Sequence, residues 1–385
     1  MEGLQKSILI WRNSKSISSN QYKTMTVQFD ITSAPGYGTY LDDATDMPYG
    51  KTSEAITQWQ EFFGYKPCLF KDGEVVGYLN PNDYTKFEDG TDADITSGYA
   101  GDVMVEFPRR GIKIIRSGST VTVSMTNNPN DEDFTYYAHT RYSLQKDYFY
   151  IGVYLGYTAY GSILRSLSGK TPENGVTLEK LRSWSEGLGP GYMEVGFYQF
   201  LFIQCMYLLQ YKGNLDSQSV HGFGYCNGSR IAKTGLSDTK GVMYGTTSGS
   251  SNNDHIKLFG IEDFWGNKSW FLDGYYTNGM YHVLTATDGF NNTGSGYIDN
   301  GAVTGSSYIS GFISNAVCSP EVGFTPIECV GTQTHFKDWG SVNSYCIPIV
   351  GGHYNYALSS GIFRFSVSCE TKSGDTDTCG RLCYL

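Results

Sequence analysis

The chain has 385 residues, 17% of them charged, with 47 glycines, 31 tyrosines and a formal net charge of −10. That balance excludes nucleic acid as the partner, because phosphate binding needs a basic stripe and none is visible, and an acidic surface is repelled by anionic membranes. The length sets a soft prior of two or three domains, and a charge-poor chain rich in Gly and Tyr implies loop-rich β structure.

The opening Met1-Glu2-Gly3-Leu4-Gln5-Lys6 lacks the basic start, apolar core and small-residue cleavage site of a secretory signal, which points to synthesis in a cytoplasm. Met25, Val27, Phe29 and Ile31 alternate with Thr26, Gln28 and Asp30, and Val103, Val105 and Phe107 repeat the pattern before Pro108, so both runs predict strands. Ile112 to Arg116 and Thr120 to Met125 flank Ser117-Gly118-Ser119, a hairpin signal. Residues 1–138 as a whole read as short strands and turns. The segment Asp89 to Asp94 departs from EF-hand spacing and reads as a turn, so no metal is assigned to it.

The polar run Asn127 to Asp133 marks a seam, and beyond it the periodicity changes. Leu178, Leu181 and Trp184 fall at helical spacing before Gly187, and the apolar block Glu194 to Tyr211 predicts a second helix buried nearly all round. Gln199, Gln204 and Gln210 interrupt that block, which is also short for a bilayer span, so no membrane insertion is expected. After Tyr211 the chain is rich in Gly, Ser, Asn and aromatics, the composition of a fold held together by loops, since disordered segments are poor in aromatics.

The nine cysteines include no C-x-x-C pair and read mostly as buried thiols; Cys318 with Cys329 and Cys379 with Cys383 stay open as pairs in an oxidising exterior. No G-x-S-x-G elbow, P-loop or H-E-x-x-H occurs. The glycine-rich pieces Gly187 to Gly191 and Gly222 to Gly228 fail the dinucleotide spacing and read as loops. The six histidines are scattered without ligand spacing, and Glu262 and Asp263, adjacent on a strand, would face opposite ways. In Phe259 to Asn267 and Trp270 to Gly274, glycines permit tight turns while Phe264, Trp265, Trp270 and Phe271 supply an apolar anchor, so this segment reads as core.

In the tail, Gly351-Gly352 precede His353, Tyr354, Asn355 and Tyr356, and Phe363, Phe365 and Val367 then alternate with Arg364, Ser366 and Ser368. A strand here buries the first set and displays the second, and tyrosines beside small polar residues suit a contact surface. An ordinary C-terminal strand with a solvated face is the simpler alternative.

The segment Gly260-Ile261-Glu262-Asp263-Phe264-Trp265-Gly266-Asn267 resembles the core signature of the formylglycine-generating-enzyme-like branch of the C-type lectin fold, and the tail from Gly351 to Leu382 resembles the variable region of proteins diversified by retroelements. Phe149 to Gly152, Arg165 to Gly169 and Asn214 to Gln218 also look like parts of that family, while Tyr78 to Asn80 and Gly101 to Pro108 resemble structural proteins of phage tails. The resemblance implies an α+β architecture: an N-terminal β-rich attachment module over 1–138, then a loop-rich C-type lectin-like domain over 139–385 with a variable region at about 350–385. It places ligand-contacting positions on His353, Tyr354, Asn355, Tyr356, Leu358, Ser359, Arg364 and Ser366. Scaffold roles fall to Trp265, Gly266, Asn267, Phe363, Phe365, Gly380, Arg381 and Leu382.

The implied protein is a phage tail receptor-binding protein, located in the virion and made in the host cytoplasm, which performs no reaction and needs no cofactor or metal. Its partners would be a host cell-surface receptor, protein or glycan, and other tail proteins. A homotrimer is one assembly open to a tail fibre, without coiled-coil heptads in its support. Two rivals stand beside this reading: an enzyme of the same fold or a glycan-degrading tail protein, and a purely structural tail component.

Overall fold

A computed structural model describes residues 22–33, 36–159, 161–247, 254–370, 374 and 376–385. The reading of Met1 to Lys6 lies outside them, as do positions 371–373 and 375 of the tail. The chain is mostly β-sheet with few helices, 38% strand against 13% helix.

The alternation at Met25, Val27 and Phe29 forms the strand Thr24–Asp30, with those side chains buried and Gln28 and Asp30 exposed. It lies in a four-stranded antiparallel sheet ordered Thr39–Asp42, Thr24–Asp30, Thr120–Thr126, Gly111–Ser117, in which the last two strands are the expected hairpin. A helix, Ser53–Phe63, corrects the reading of 1–138 as strands and turns alone. Its signals are local: Thr52 accepts from the Ala55 amide, Glu54 sits in the first turn, Gly64 ends it at φ 75°, and Ala55, Trp59, Phe62 and Phe63 line one buried face.

The boundary at 138/139 is likewise corrected. A seven-stranded antiparallel sheet runs Tyr192–Glu194, Leu382–Tyr384, Tyr148–Gly152, Asp102–Pro108, Lys66–Lys71, Glu74–Asn80, Asp83–Phe87. Strand Asp102–Pro108 from the first segment pairs with Tyr148–Gly152 from the second over five residues, Tyr148↔Pro108 to Gly152↔Met104. The larger apolar core extends without a break from Met25 to Leu385. The Asn127–Asp133 run is therefore a surface turn, not a linker between units, because strands on both sides of it bury their apolar faces in the same core.

The helix Leu178–Glu186 forms where the spacing predicts, capped by Thr177, and Phe197–Gln210 forms within the predicted apolar block. Every residue of the second helix is buried. The amide N–H₂ of each polar interruption finds a carbonyl: Gln199 donates to Ala138 O at 2.6 Å, Gln204 to Ile362 O at 2.9 Å and Gln210 to Gly50 O at 2.9 Å. Among the described residues no helix is long and apolar enough to cross a membrane.

A second seven-stranded sheet, mixed, runs Pro326–Val330, Ile309–Ala316, Trp339–Val342, Gly361–Cys369, Ile347–Gly351, Ser269–Phe271, Thr378–Cys379. Gly361–Cys369 is parallel to Trp339–Val342 and antiparallel to Ile347–Gly351. The tail then leaves this sheet through Thr378–Cys379 and enters the first seven-stranded sheet at Leu382–Tyr384, tying the two together. Neither open pairing forms: Cys379 and Cys383 lie in strands of different sheets, and the Cys318 and Cys329 sulfurs face the carbonyls of Ala316 and Gly340.

Residues 139–385 expressed alone lack the four strands that complete the first seven-stranded sheet beyond Tyr148–Gly152. That fragment is expected to show neither a cooperative thermal transition nor dispersed amide resonances, whereas residues 22–385 show both; a fragment that folds would restore the two-domain division.

Candidate functional site

Phe259 to Asn267 is wholly buried and turns sharply, with Phe259, Asp263 and Asn267 at φ 49°, 49° and 61°. Trp265 is anchored by its indole N–H to Gly222 O at 3.1 Å, and Trp270 by its own to Phe264 O at 3.3 Å. Asn267 is the junction. Its side chain pairs with both the N–H and the C=O of Ala232 and donates to Asp263, its N–H donates to Tyr225 O, and its carbonyl accepts from the Tyr354 amide at 3.0 Å. The buried segment thus reaches the tail loop directly.

That loop leaves the sheet at Gly351 and Gly352, both left-handed at φ 80° and 83°. A side chain on Gly351 would meet Phe264 O at 2.7 Å, and one on Gly352 would collide with Ser360 Oγ and meet Arg364 Cδ at 2.8 Å. The close approach folds residues 353–360 back over the strand Gly361–Cys369. Main-chain bonds then fasten the loop: Gly266 N to Gly352 O, Gly228 N to Tyr354 O, and Ala357 N to Cys226 O, with Gln218 Nε2 donating to Ala357 O.

The eight predicted contact residues divide into three groups. Asn355 and Tyr356 are exposed at the tip, and Tyr354, Leu358 and Ser359 are half-buried beside them. Ser366 is half-buried on the sheet face, bonded to Ser341. His353 and Arg364 are buried, which corrects their assignment as displayed side chains. The alternation is right in sense, since Phe363, Phe365 and Val367 face the core, but the refolded loop covers the other face at position 364.

Arg364 is instead the pillar of the loop. Its guanidinium lies 3.8 Å from the Tyr356 ring centroid and donates to Ser359 O at 2.9 Å. The His353 ring packs on the other ring neighbour, 3.5 Å from Tyr356 between centroids, and its Nε2 is 3.9 Å from Asp377. Burial pulls the Arg364 guanidinium below its ordinary pKa, opposed by Tyr356 and Asp338. Asp338 lies beneath, accepting from the Phe363 amide at 2.8 Å, and burial pushes its carboxyl well up.

The predicted scaffold residues are all buried: Trp265, Gly266 and Asn267 under the loop, Phe363 and Phe365 in the core, and Gly380, Arg381 and Leu382 at the junction of the two large sheets. Arg381 donates to four carbonyls, Gly152, Val153, Glu262 and Asp263, at 2.9–3.0 Å. What sequence reasoning missed is the part played by the piece Gly222 to Gly228, read only as a loop, which reaches the face through Gly228, 126 residues from Tyr354 in the chain.

His255, Glu262 and Asp263 are brought together with ligand-type atoms within 4.8 Å of one another, which corrects the expectation that the two carboxylates diverge. The left-handed Asp263 turns its carboxylate to the same side as Glu262. Protein donors already occupy the group: His255 Nδ1 and Asn267 on Asp263, and the Gly235 amide with the Ser237 amide and hydroxyl on Glu262. Burial opposes the charge on His255, but the charge and hydrogen bond of Asp263 outweigh it and raise the pKa to about 9. The thiols offer little nucleophile: burial raises Cys226, Cys318 and Cys379 to about 12 each. A cleft of about 700 Å³ at Met25, Met47, Phe62 and Arg110 and another of about 530 Å³ at Arg141, Tyr192 and Tyr384 include no residue of 353–366.

No protein-family model matches the chain, and no curated protein matches it. The geometry alone carries the functional argument: a rigid, aromatic, outward-facing loop outside those two clefts.

Arg364→Lys keeps the charge but loses the planar stack on Tyr356, and is expected to cost about 2 kcal/mol in urea unfolding, with faster amide exchange at 354–359 and little change elsewhere. The His255–Asp263 pair predicts a pH dependence. With the histidine at about 9 folded against 6.5 unfolded, its contribution of roughly 3 kcal/mol is complete below pH 6.5 and is lost as pH rises through 9. Lys257, lowered to about 8 mainly by burial, offsets part of that loss above pH 8, because the unfolded chain then holds the extra proton. Stability measured from pH 6.5 to 8 should fall in the wild type and stay level in His255→Gln.

Proposed function

We propose that the chain is a receptor-binding protein of a phage tail, with a C-type lectin-like ligand-binding region that presents the loop 353–359 to a host cell-surface receptor. One observation carries the reading: the loop backbone is fastened by main-chain groups and by buried side chains, Gln218, Arg364 and His353, so the exposed side chains can change while the backbone keeps its place. A surface open to sequence variation needs this separation of frame from contact. The scaffold positions implied by the family resemblance fall on buried groups, Asn267 and Arg381 among them, whereas Asn355 and Tyr356 stand in solvent.

Tyrosine and asparagine at the tip suit recognition of a macromolecular surface. Tyr gives a large contact at low entropic cost, more so when Arg364 and His353 already hold its ring. Binding requires no bond-making, and the role assigned here is adhesion without catalysis. Many copies on a particle would raise a weak single-site affinity through effective concentration.

The combined substitution Tyr354→Ala, Asn355→Ala and Tyr356→Ala should leave virions assembled and the purified chain folded, yet lower adsorption to host cells by roughly tenfold or more. Failure of assembly would favour a structural tail component. Adsorption at the wild-type level would refute the proposal.

A further inference from the structure

The outer face of the mixed sheet, beside the loop, has a composition that the loop itself does not explain. Strand pairing aligns Phe312 with Trp339 and Ser310 with Ser341, and Ser341 in turn with Ser366. These residues alternate with core members Ile313, Phe365 and Val367, so they share the side away from the core. The Phe312 and Trp339 rings meet edge to face at 5.4 Å, both half-buried, and among the described residues neither belongs to nor packs against either apolar core. An aromatic pair left out of the core on a sheet face is the type of patch that marks a contact site.

Hydroxyls lie next to the rings. Ser341 and Ser366 are bonded at 2.6 Å and Ser366 and Ser368 at 2.9 Å, a chain that begins at the buried Ser341 and ends at the exposed Ser368. Three hydroxyls bring three protons to two mutual bonds, so at least one donor and several lone pairs remain to be used elsewhere. One step back along the same parallel register sets Trp339 beside Arg364, the pillar under Tyr356, which makes the face continuous with the loop. Arg364, the charged residue in this array, is already engaged by Tyr356 and Ser359. Uncharged hydroxyls in a row beside flat aromatic faces match a neutral saccharide, whose ring faces are apolar and whose edges donate and accept hydrogen bonds.

We infer that Trp339, Phe312 and the Ser341–Ser366–Ser368 chain form a subsite for a neutral saccharide, adjoining the loop 353–359. The inference rests on the receptor-binding reading and deepens it: the loop supplies variable contacts, while a subsite outside residues 353–359 holds a recurring sugar of the host surface. Trp339 lies outside the tail region altogether, so it would stay constant while the tail varied.

The test uses the full chain and short homo-oligomers of glucose, mannose and N-acetylglucosamine, followed by calorimetry and tryptophan emission. At least one oligomer is expected to saturate in the millimolar range or below. Trp339→Ala should weaken that binding by roughly tenfold and Ser366→Ala by roughly threefold, with the melting curve of each variant unchanged. If none of the three oligomers binds, or if Trp339→Ala binds as the wild type does, the subsite is refuted. Self-association that Trp339→Ala abolishes would also refute it, by making this face a contact between copies. Adsorption of virions carrying the Tyr354, Asn355 and Tyr356 substitutions separates the two claims: its loss alongside absent sugar binding leaves the receptor-binding reading standing and removes only the saccharide.

Discussion

The structure depends on a single buried helix, Phe197–Gln210, against which three sheets pack. Phe202 meets Phe107 and Phe149 of one seven-stranded sheet at 6.1 and 5.1 Å, and Phe200 meets Phe365 of the other at 6.3 Å while stacking on Phe264 at 5.5 Å. Tyr207 reaches Phe363 at 5.9 Å, and the helix also contacts strands Thr24–Asp30 and Thr120–Thr126 of the four-stranded sheet. In a helix with no solvent face each unpaired buried polar group costs on the order of 1–3 kcal/mol, a cost that remains at the Tyr207 hydroxyl and at Gln210 Oε1. The amide N–H₂ groups of its three glutamines therefore act as bolts, each holding a main-chain carbonyl of a different segment: 138, 362 and 50. The Ile362 bolt lies at the start of the strand that carries the candidate face.

From that helix the order propagates outward to the loop. Phe363 and Phe365 are pinned from below, Arg364 is thereby aimed upward, and Tyr356 rests on it. Gly351 and Gly352 allow the chain to turn over Arg364, and Asn267 locks the turn to the buried signature segment. Rigidity of this kind suits binding, because a contact loop already held in shape has less conformational entropy to lose when a partner arrives. The same frame explains why the tail past Thr378 is structural: it threads from one large sheet to the other, and Arg381 fills the junction with four carbonyl bonds.

Several elements were legible without coordinates because their causes are local. Period-two alternation located the strands at 24–30 and 102–108, the turn at Gly118 located a hairpin, and apolar spacing located the helices at 178–186 and 197–210. The helix Ser53–Phe63 carried equally local signals in Thr52, Glu54 and Gly64, and was overlooked because the surrounding strand pattern dominated. The domain seam misled for a different reason. A polar, turn-rich run such as 127–133 has the same composition whether it links two units or merely crosses the surface of one.

By itself the amino-acid sequence determined which residues form strands and helices, that the signature around Trp265 is core, and that Phe363, Phe365 and Val367 face inward. Only the tertiary structure decided that the N-terminal strands complete a sheet with the C-terminal ones, that Arg364 and His353 support the loop without facing solvent, and that Trp339 and Ser366 share a face. The physical reason is the range of the forces involved. Backbone propensity and side-chain periodicity act over a few residues, whereas burial depends on what folds over a position, and at Arg364 that cover is a loop whose path is set by glycines twelve and thirteen residues away and by an asparagine nearly a hundred residues upstream.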